Sequence, residues 1–332
     1  MDVFQMTVER KTHTLAFNSN FMKKILPIIF LILFLQNSGI SQSAKPDKNF
    51  TGHKEPILGI AQSPDGKYIL SGSDDNLAFL WNENGAIIDT IAVHEKSVND
   101  VAFSPDNTRF ITAGGEGSFV IWNINGTKIK TVPADKVYVK TVTYSNDGKY
   151  ILSGGGDNTA KLWTANGKLI RVFKGHTCTI YQASFSPDDK SIVLASCDNT
   201  ASVWDINGKR KMQLKKHTSG VSAARFSPDG KKILTASFDK TAIVWDLNGK
   251  PILRLTGHTD EINQAEYSKD GTYILTGSED GTAKLWNNKG SLIKTFGEEH
   301  TVEYTAAIFS RDGLYAIVSS KDFMINFWAL PK

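Results

Sequence analysis

Tryptophan occurs seven times in this 332-residue chain, at Trp81, Trp122, Trp163, Trp204, Trp245, Trp286 and Trp328. Successive tryptophans are 41 residues apart, except for a final gap of 42. A second ladder runs beside the first. His53, His94, His176, His217, His258 and His300 each stand 28 residues before a tryptophan, and Asp135 fills the one slot without a histidine. Two scarce residue types held to one period require a repeated structural unit, and that repeat constrains the fold before any single motif does.

The unit reads as β-structure. Within Lys216–Lys250, short runs rich in β-branched and aromatic residues are broken by Ser-Pro-Asp-Gly, Phe-Asp-Lys and Leu-Asn-Gly. Such spacing of strand and turn signals predicts antiparallel sheet. Asn-Gly pairs follow five of the tryptophans by three and four residues, as at Asn84-Gly85 and Asn248-Gly249. Asn-Gly suits the positive φ angles of a tight hairpin, so it is expected to join the tryptophan strand to the next one. Pro64, Pro105, Pro187 and Pro228 preset φ for a second turn. Each unit is therefore expected to hold four strands, a to d, with tryptophan ending strand c.

The chain thus resembles the WD-repeat β-propellers, through a Gly-His near the start of units, an acid six residues before the Trp, and a unit length in the low forties. The similarity runs from about residue 44 to the end. The Trp-Asp pair itself survives only at Trp204-Asp205 and Trp245-Asp246. The resemblance implies an all-β, seven-bladed propeller spanning residues 42–332. It also implies a hydrogen-bonded network in each blade of His, acid, a strand-b Ser or Thr, and Trp. The acids are Asp75, Glu116, Asp157, Asp198, Asp239, Asp280 and Asp322. In blade three, Asp135 is expected to turn out to solvent or to Lys136. The alternative is that it shares one site with Asp157, under a raised pKa or a bound cation. By the family geometry Cys178 and Cys197 lie near one rim of blade four, where they form a disulfide or remain two thiols.

Only Ala-Leu-Pro-Lys follows Trp328, so blade seven lacks a strand d of its own. The segment Ala44–Thr51 stands in that register and is expected to supply it, closing the ring with both termini. Upstream, Lys23-Lys24, an eleven-residue apolar run from Ile25 to Leu35 and small residues to Ser41 read as a secretory signal peptide, residues 22–41. The run is short for a membrane span, which needs about 20 residues. Export with cleavage near Ser41 is the expectation, an uncleaved tether the alternative. Residues 1–21 match no part of such a leader and read as a non-native extension.

After cleavage 34 Lys/Arg would face 32 Asp/Glu, a net charge of +2. That near-neutrality gives no reason to expect nucleic-acid or membrane binding. Six of seven histidines belong to the repeat, and His13 lies upstream of it in the extension. The chain shows no metal-ligand spacing, P-loop or Gly-x-Ser-x-Gly elbow. No catalytic residue, cofactor or metal is implied, and a monomeric scaffold binding a protein or peptide partner is the expected function. The residue after the first apolar position of strand a varies freely: Leu58, Asn99, Lys140, Tyr181, Ser222, Asn263, Thr305. So does the residue before the acid. Tyr138, Lys140, Tyr181 and Phe238 make an aromatic sector of the channel face, and Asp74, Glu261, Glu279 and Glu303 an acidic one. Two alternatives remain: a polyanion held by Lys209-Arg210-Lys211 and Lys215-Lys216, or an enzyme using loop carboxylates. A lysine-rich edge strand more often serves to block aggregation.

Overall fold

The computed structural model describes residues 45–299 and 302–331. Both the leader at 22–41 and the extension at 1–21 lie outside the described residues, as does His300. Among the described residues are twenty-eight strands and no helix, arranged as seven antiparallel sheets of four strands. Blade one runs a, Ile57–Gln62; b, Tyr68–Ser73; c, Ala78–Asn82; d, Ile87–Ile91. Strands b and c are buried along most of their length, while strand d is largely exposed. The cause is stacking: a blade covered on both faces needs apolar residues on both sides of its inner strands.

The core accordingly lies between blades rather than within them. Ile111, Phe119 and Ile121 of blade two pack against Val139, Val142 and Trp163 of blade three. Five further clusters fill the junctions from blade one to two and from three through to seven. The seventh joins Ile57, Trp81 and Phe79 of blade one to Ile308, Ile317 and Phe327 of blade seven, with Phe50 among them.

Phe50 belongs to the closing strand. Lys48–Thr51 pairs antiparallel with Met324–Ala329 as the outer strand of blade seven, Phe50 opposite Ile325. Asp47 secures its start: its N–H donates to the Phe327 carbonyl at 2.8 Å, and its carboxylate accepts the Ala329 N–H at 2.7 Å. The Phe50 ring sits 5.6 Å from Trp81 and 4.8 Å from Phe327, centroid to centroid. The ring is closed by its N-terminal strand.

The c–d turn differs from the two-residue hairpin expected of Asn-Gly. In blade one only Gly85 has positive φ (84°), not Asn84, and the Gly85 N–H donates to the Asn82 carbonyl at 3.0 Å. This is a three-residue loop with a left-handed glycine. The Asn82 side chain stabilises it by accepting the N–H groups of Asn84 and Ala86. The register then slips by one opposite the tryptophans of blades one to six, leaving Ile88 unpaired in blade one and Ile129, Ile170, Lys211, Ile252 and Ile293 in blades two to six. Such bulges twist an edge strand away from pairing with another chain. In blade four two of the cations at this edge have intramolecular contacts. The Lys211 ammonium donates to Ser191 Oγ at 2.8 Å and Arg210 lies over the Trp204 ring.

Candidate functional site: the channel wall and its mouth

Blade six shows what the repeated polar residues do. His258 Nδ1 lies 2.7 Å from Asp280 Oδ2, and its Nε2 lies 2.7 Å from Thr276 Oγ1. The Trp286 indole donates to the same hydroxyl at 3.0 Å. A hydroxyl that accepts from the indole and donates to Nε2 matches a neutral imidazole with its proton on Nδ1, toward the carboxylate. Burial pushes the His258 pKa down, in keeping with that neutral form. Blades one, two and five repeat the circuit with His53, Asp75, Ser71 and Trp81; His94, Glu116, Thr112 and Trp122; His217, Asp239, Thr235 and Trp245.

Two blades depart from the strand-b hydroxyl. In blade four that position is Leu194, and the hydroxyl comes from strand c: Ser202 Oγ is 2.6 Å from His176 Nε2 and accepts the Trp204 indole at 2.7 Å. His176 keeps Asp198 at 2.7 Å. In blade seven the position is Val318, and the buried Trp328 indole nitrogen has no partner among the described residues. Among the described residues, Asp322 there accepts bonds from the Ser320 hydroxyl and the Met324 N–H.

Blade three corrects an expectation. Asp135 does not turn outward to solvent or Lys136; its side chain is only 3% exposed. Its Oδ1 accepts the Val137 N–H at 2.8 Å, and Lys161 lies 3.7 Å from its Oδ2. The same ammonium donates to Asp157 Oδ2 at 2.7 Å and to Thr159 Oγ1 at 2.9 Å. Lys161 from strand c thus stands where two carboxylates would otherwise repel, and Trp163 retains its bond to Ser153 at 2.9 Å. Burial, then the neighbouring Asp157, pushes Asp135 upward; for Asp157 burial acts the same way, but the bonds from Lys161 and Thr159 outweigh it and hold it down. A raised carboxylate costs stability where it is ionised, and the cost disappears below its ordinary value of 3.8. Asp135→Asn is therefore expected to raise the urea midpoint at pH 7, with the gain gone by about pH 3.

The inner strands surround a central channel of about 710 Å³. Four of the seven variable strand-a residues bond to the next blade. Asn99 donates to the Val139 carbonyl at 2.8 Å, Ser222 to Ile262, Asn263 to Tyr304 at 2.9 Å, and Thr305 to Ile57. One layer deeper, Asp100, Gln182 and Glu266 accept backbone N–H groups of Val142, Ala224 and Phe309 from the adjacent blade. These stitches were not expected from the sequence; a short polar residue recurring at one repeat position is the signal that marks them. Leu58, Lys140 and Tyr181 occupy the three remaining positions, line the channel and make no such bond.

Of the expected face residues, Lys140, Tyr181, Phe238 and Glu279 line the channel. Tyr181 and Phe238 meet edge to face, with centroids 5.3 Å apart. Gly220 permits the approach, since a Cβ there would come within 3.0 Å of the Phe238 ring. Tyr138 is instead tied to blade four, its hydroxyl 2.9 Å from Thr179 Oγ1. Cys178 and Cys197 are disulfide-bonded, linking the entry of strand a to the b–c turn in blade four. The acidic sector is partly neutralised from within. Lys321, not expected as a member, pairs with Glu279 at 3.6 Å and with Glu303. Burial, then Glu279, raises Glu261. Burial lowers Lys140, while Asp100 and then Asp74 act on its ammonium through space in the opposite direction.

Among curated proteins none matches this chain. The family model described as "WD domain, G-beta repeat" matches residues 44–82, 85–123, 126–164, 167–205, 208–246 and 249–287, well over half of the sequence. The blade without a match is the seventh, whose strand b lacks the hydroxyl and whose outer strand comes from the other end of the chain. With seven closed blades and six matched repeats, the chain belongs to the WD-repeat family.

Proposed function

We propose that this propeller is exported and binds a protein or peptide segment at its channel mouth, around Tyr181, Phe238 and Lys140. Proteins of this family are typically interaction scaffolds. The observation that carries the choice of face is the unequal use of the seven equivalent strand-a positions. Four side chains are committed to the neighbouring blade, whereas Lys140 and Tyr181 present polar groups with no such bond to the channel. An aromatic pair beside an unpaired charge has the composition of an interface hot spot. Export is supported by the basic and apolar leader, and by the Cys178–Cys197 bond, which persists in oxidising compartments.

The test is recovery of partners on immobilised protein, comparing wild type with Tyr181→Ala/Phe238→Ala. The double variant is expected to lose the proteins the wild type retains while melting as a folded domain. Equal recovery by both would move the binding surface elsewhere. Intact mass of the exported protein checks the leader: a mature chain beginning near residue 42 is expected, and one retaining Lys23-Lys24 would contradict cleavage.

A further inference from the structure

We propose that the segment bound at the channel mouth carries an acidic side chain, and that its carboxylate docks on the Lys140 ammonium with an apolar neighbour against Tyr181 and Phe238. This rests on the channel-mouth reading and names the chemistry of the partner. Three observations carry it.

Lys140 projects from strand a of blade three into the channel, and no hydrogen bond or ion pair within 4.0 Å holds its ammonium. Its equivalents in blades two, five, six and seven are all bonded to the next blade, so this one group is left over by the repeat. A partly enclosed ammonium that carboxylates reach only through space is costly: burial outweighs Asp100 and Asp74 and weakens its hold on the proton. A guest carboxylate removes that cost.

The charge of the lining has the matching sign. Five cations border the channel: Lys140, Arg225, Lys269, Arg311 and Lys321. Against them stand three carboxylates, and each has a partner. Asp100 accepts the N–H groups of Val101 and Val142, Glu266 accepts the Phe309 N–H and lies 4.0 Å from Arg225, and Glu279 pairs with Lys321; among the described residues Lys140, Lys269 and Arg311 are left without an ion pair. The surplus in the lumen is positive, so the channel favours an anionic guest and steers it inward.

The apolar half of the site is next to the charge. Tyr181 holds in blade four the position that Lys140 holds in blade three, and it is packed on Phe238 from blade five. An extended peptide with an acidic residue beside an aromatic or aliphatic one would reach both. A basic segment is the competing occupant, since Glu261 stands near Tyr181 and shifts it electrostatically. The geometry disfavours it, because two of the three glutamates of that sector already share Lys321.

The experiment uses the full chain and three end-capped octapeptides of one sequence, each with two phenylalanines, differing only in Glu, Gln or Lys at two positions. Calorimetric titration is expected to give the Glu peptide an affinity about tenfold above the Gln peptide, with the Lys peptide weakest. In Lys140→Met the Glu-over-Gln preference is expected to fall below about twofold, and in Lys140→Arg to persist. Lys140→Met should melt at or above the wild-type temperature, because the side chain makes no hydrogen bond or ion pair in the fold and its enclosed charge is costly. Equal or better binding of the Gln or Lys peptide overturns the proposal, as does a preference that survives Lys140→Met, or no binding of the Glu peptide at all. If all three bind alike and all three are lost in Tyr181→Ala/Phe238→Ala, the channel mouth stands as the binding surface and only the carboxylate anchor is refuted.

Discussion

Phe50→Ala is expected to destabilise the entire domain by about 3–5 kcal/mol, the usual cost of removing a buried aromatic ring. Phe50 is one residue in a four-residue strand near the chain's start, yet it is only 2% exposed and fills the junction between blades seven and one. Losing the ring strips the contacts to Trp81 and Phe327 together, and these lie on the two blades that the junction holds closed. Single domains tolerate a total of only about 5–15 kcal/mol, so this substitution removes a large fraction. Deleting Lys45–Thr51 should do more, because it also frees the edge of Met324–Ala329 to pair with other chains. Urea unfolding monitored by tryptophan fluorescence checks the first, and size-exclusion chromatography the second. A single transition at a much lower midpoint is expected for Phe50→Ala. A midpoint within experimental error of the wild type would mean that the closing strand is dispensable.

Asp280→Ala is the second change with a large expected cost, again about 3–5 kcal/mol, because it leaves buried donors of His258, Thr259 and Thr282 without their acceptor, at about 1–3 kcal/mol each. Asp280 is fully buried and accepts from His258, the Thr282 hydroxyl, and the N–H groups of Thr259 and Thr282. Burial alone would push its pKa up; the bonds from His258 and Thr282 outweigh that and hold it well below the usual carboxylate range. The sign for pH follows. A depressed carboxylate contributes stability above its ordinary value of 3.8, and the contribution is lost as pH falls toward the lowered one. The gap between wild type and Asp280→Ala should therefore be full at pH 7 and shrink only in strong acid.

The architecture was legible because the residues that build it recur at a fixed spacing. Trp81 to Trp328 and the histidines before them revealed seven units, and Phe50's segment stands in the register of a strand d, the place it takes on blade seven. What stayed hidden depends on contacts that a repeat does not encode. Ser202 replaces a hydroxyl expected at Leu194 because strands b and c lie side by side, so either can present an oxygen to the same imidazole. Asp135 turned inward because Lys161, two residues before Trp163, reaches both carboxylates; the sequence offered Lys136 as the nearer cation. The Asn-Gly turns took the three-residue form because Asn82 and its equivalents accept the turn's own N–H groups. At the channel the list of variable residues was right as a list, but it could not separate Asn99 or Thr305, bonded across a junction, from Lys140 and Tyr181, which are not. That distinction depends on a neighbouring blade, 40 residues away for Asn99 and 248 for Thr305.

Site-directed photo-crosslinking tests the channel-mouth assignment most directly. A benzophenone amino acid is placed at Tyr181 in one sample and at Ile252, on the exposed outer edge of blade five, in another. With the same extract of exported proteins, a discrete adduct is expected from position 181 and none from 252. Adducts from 252 with none from 181 would place the working surface on the rim, and the function proposed for the mouth would fall.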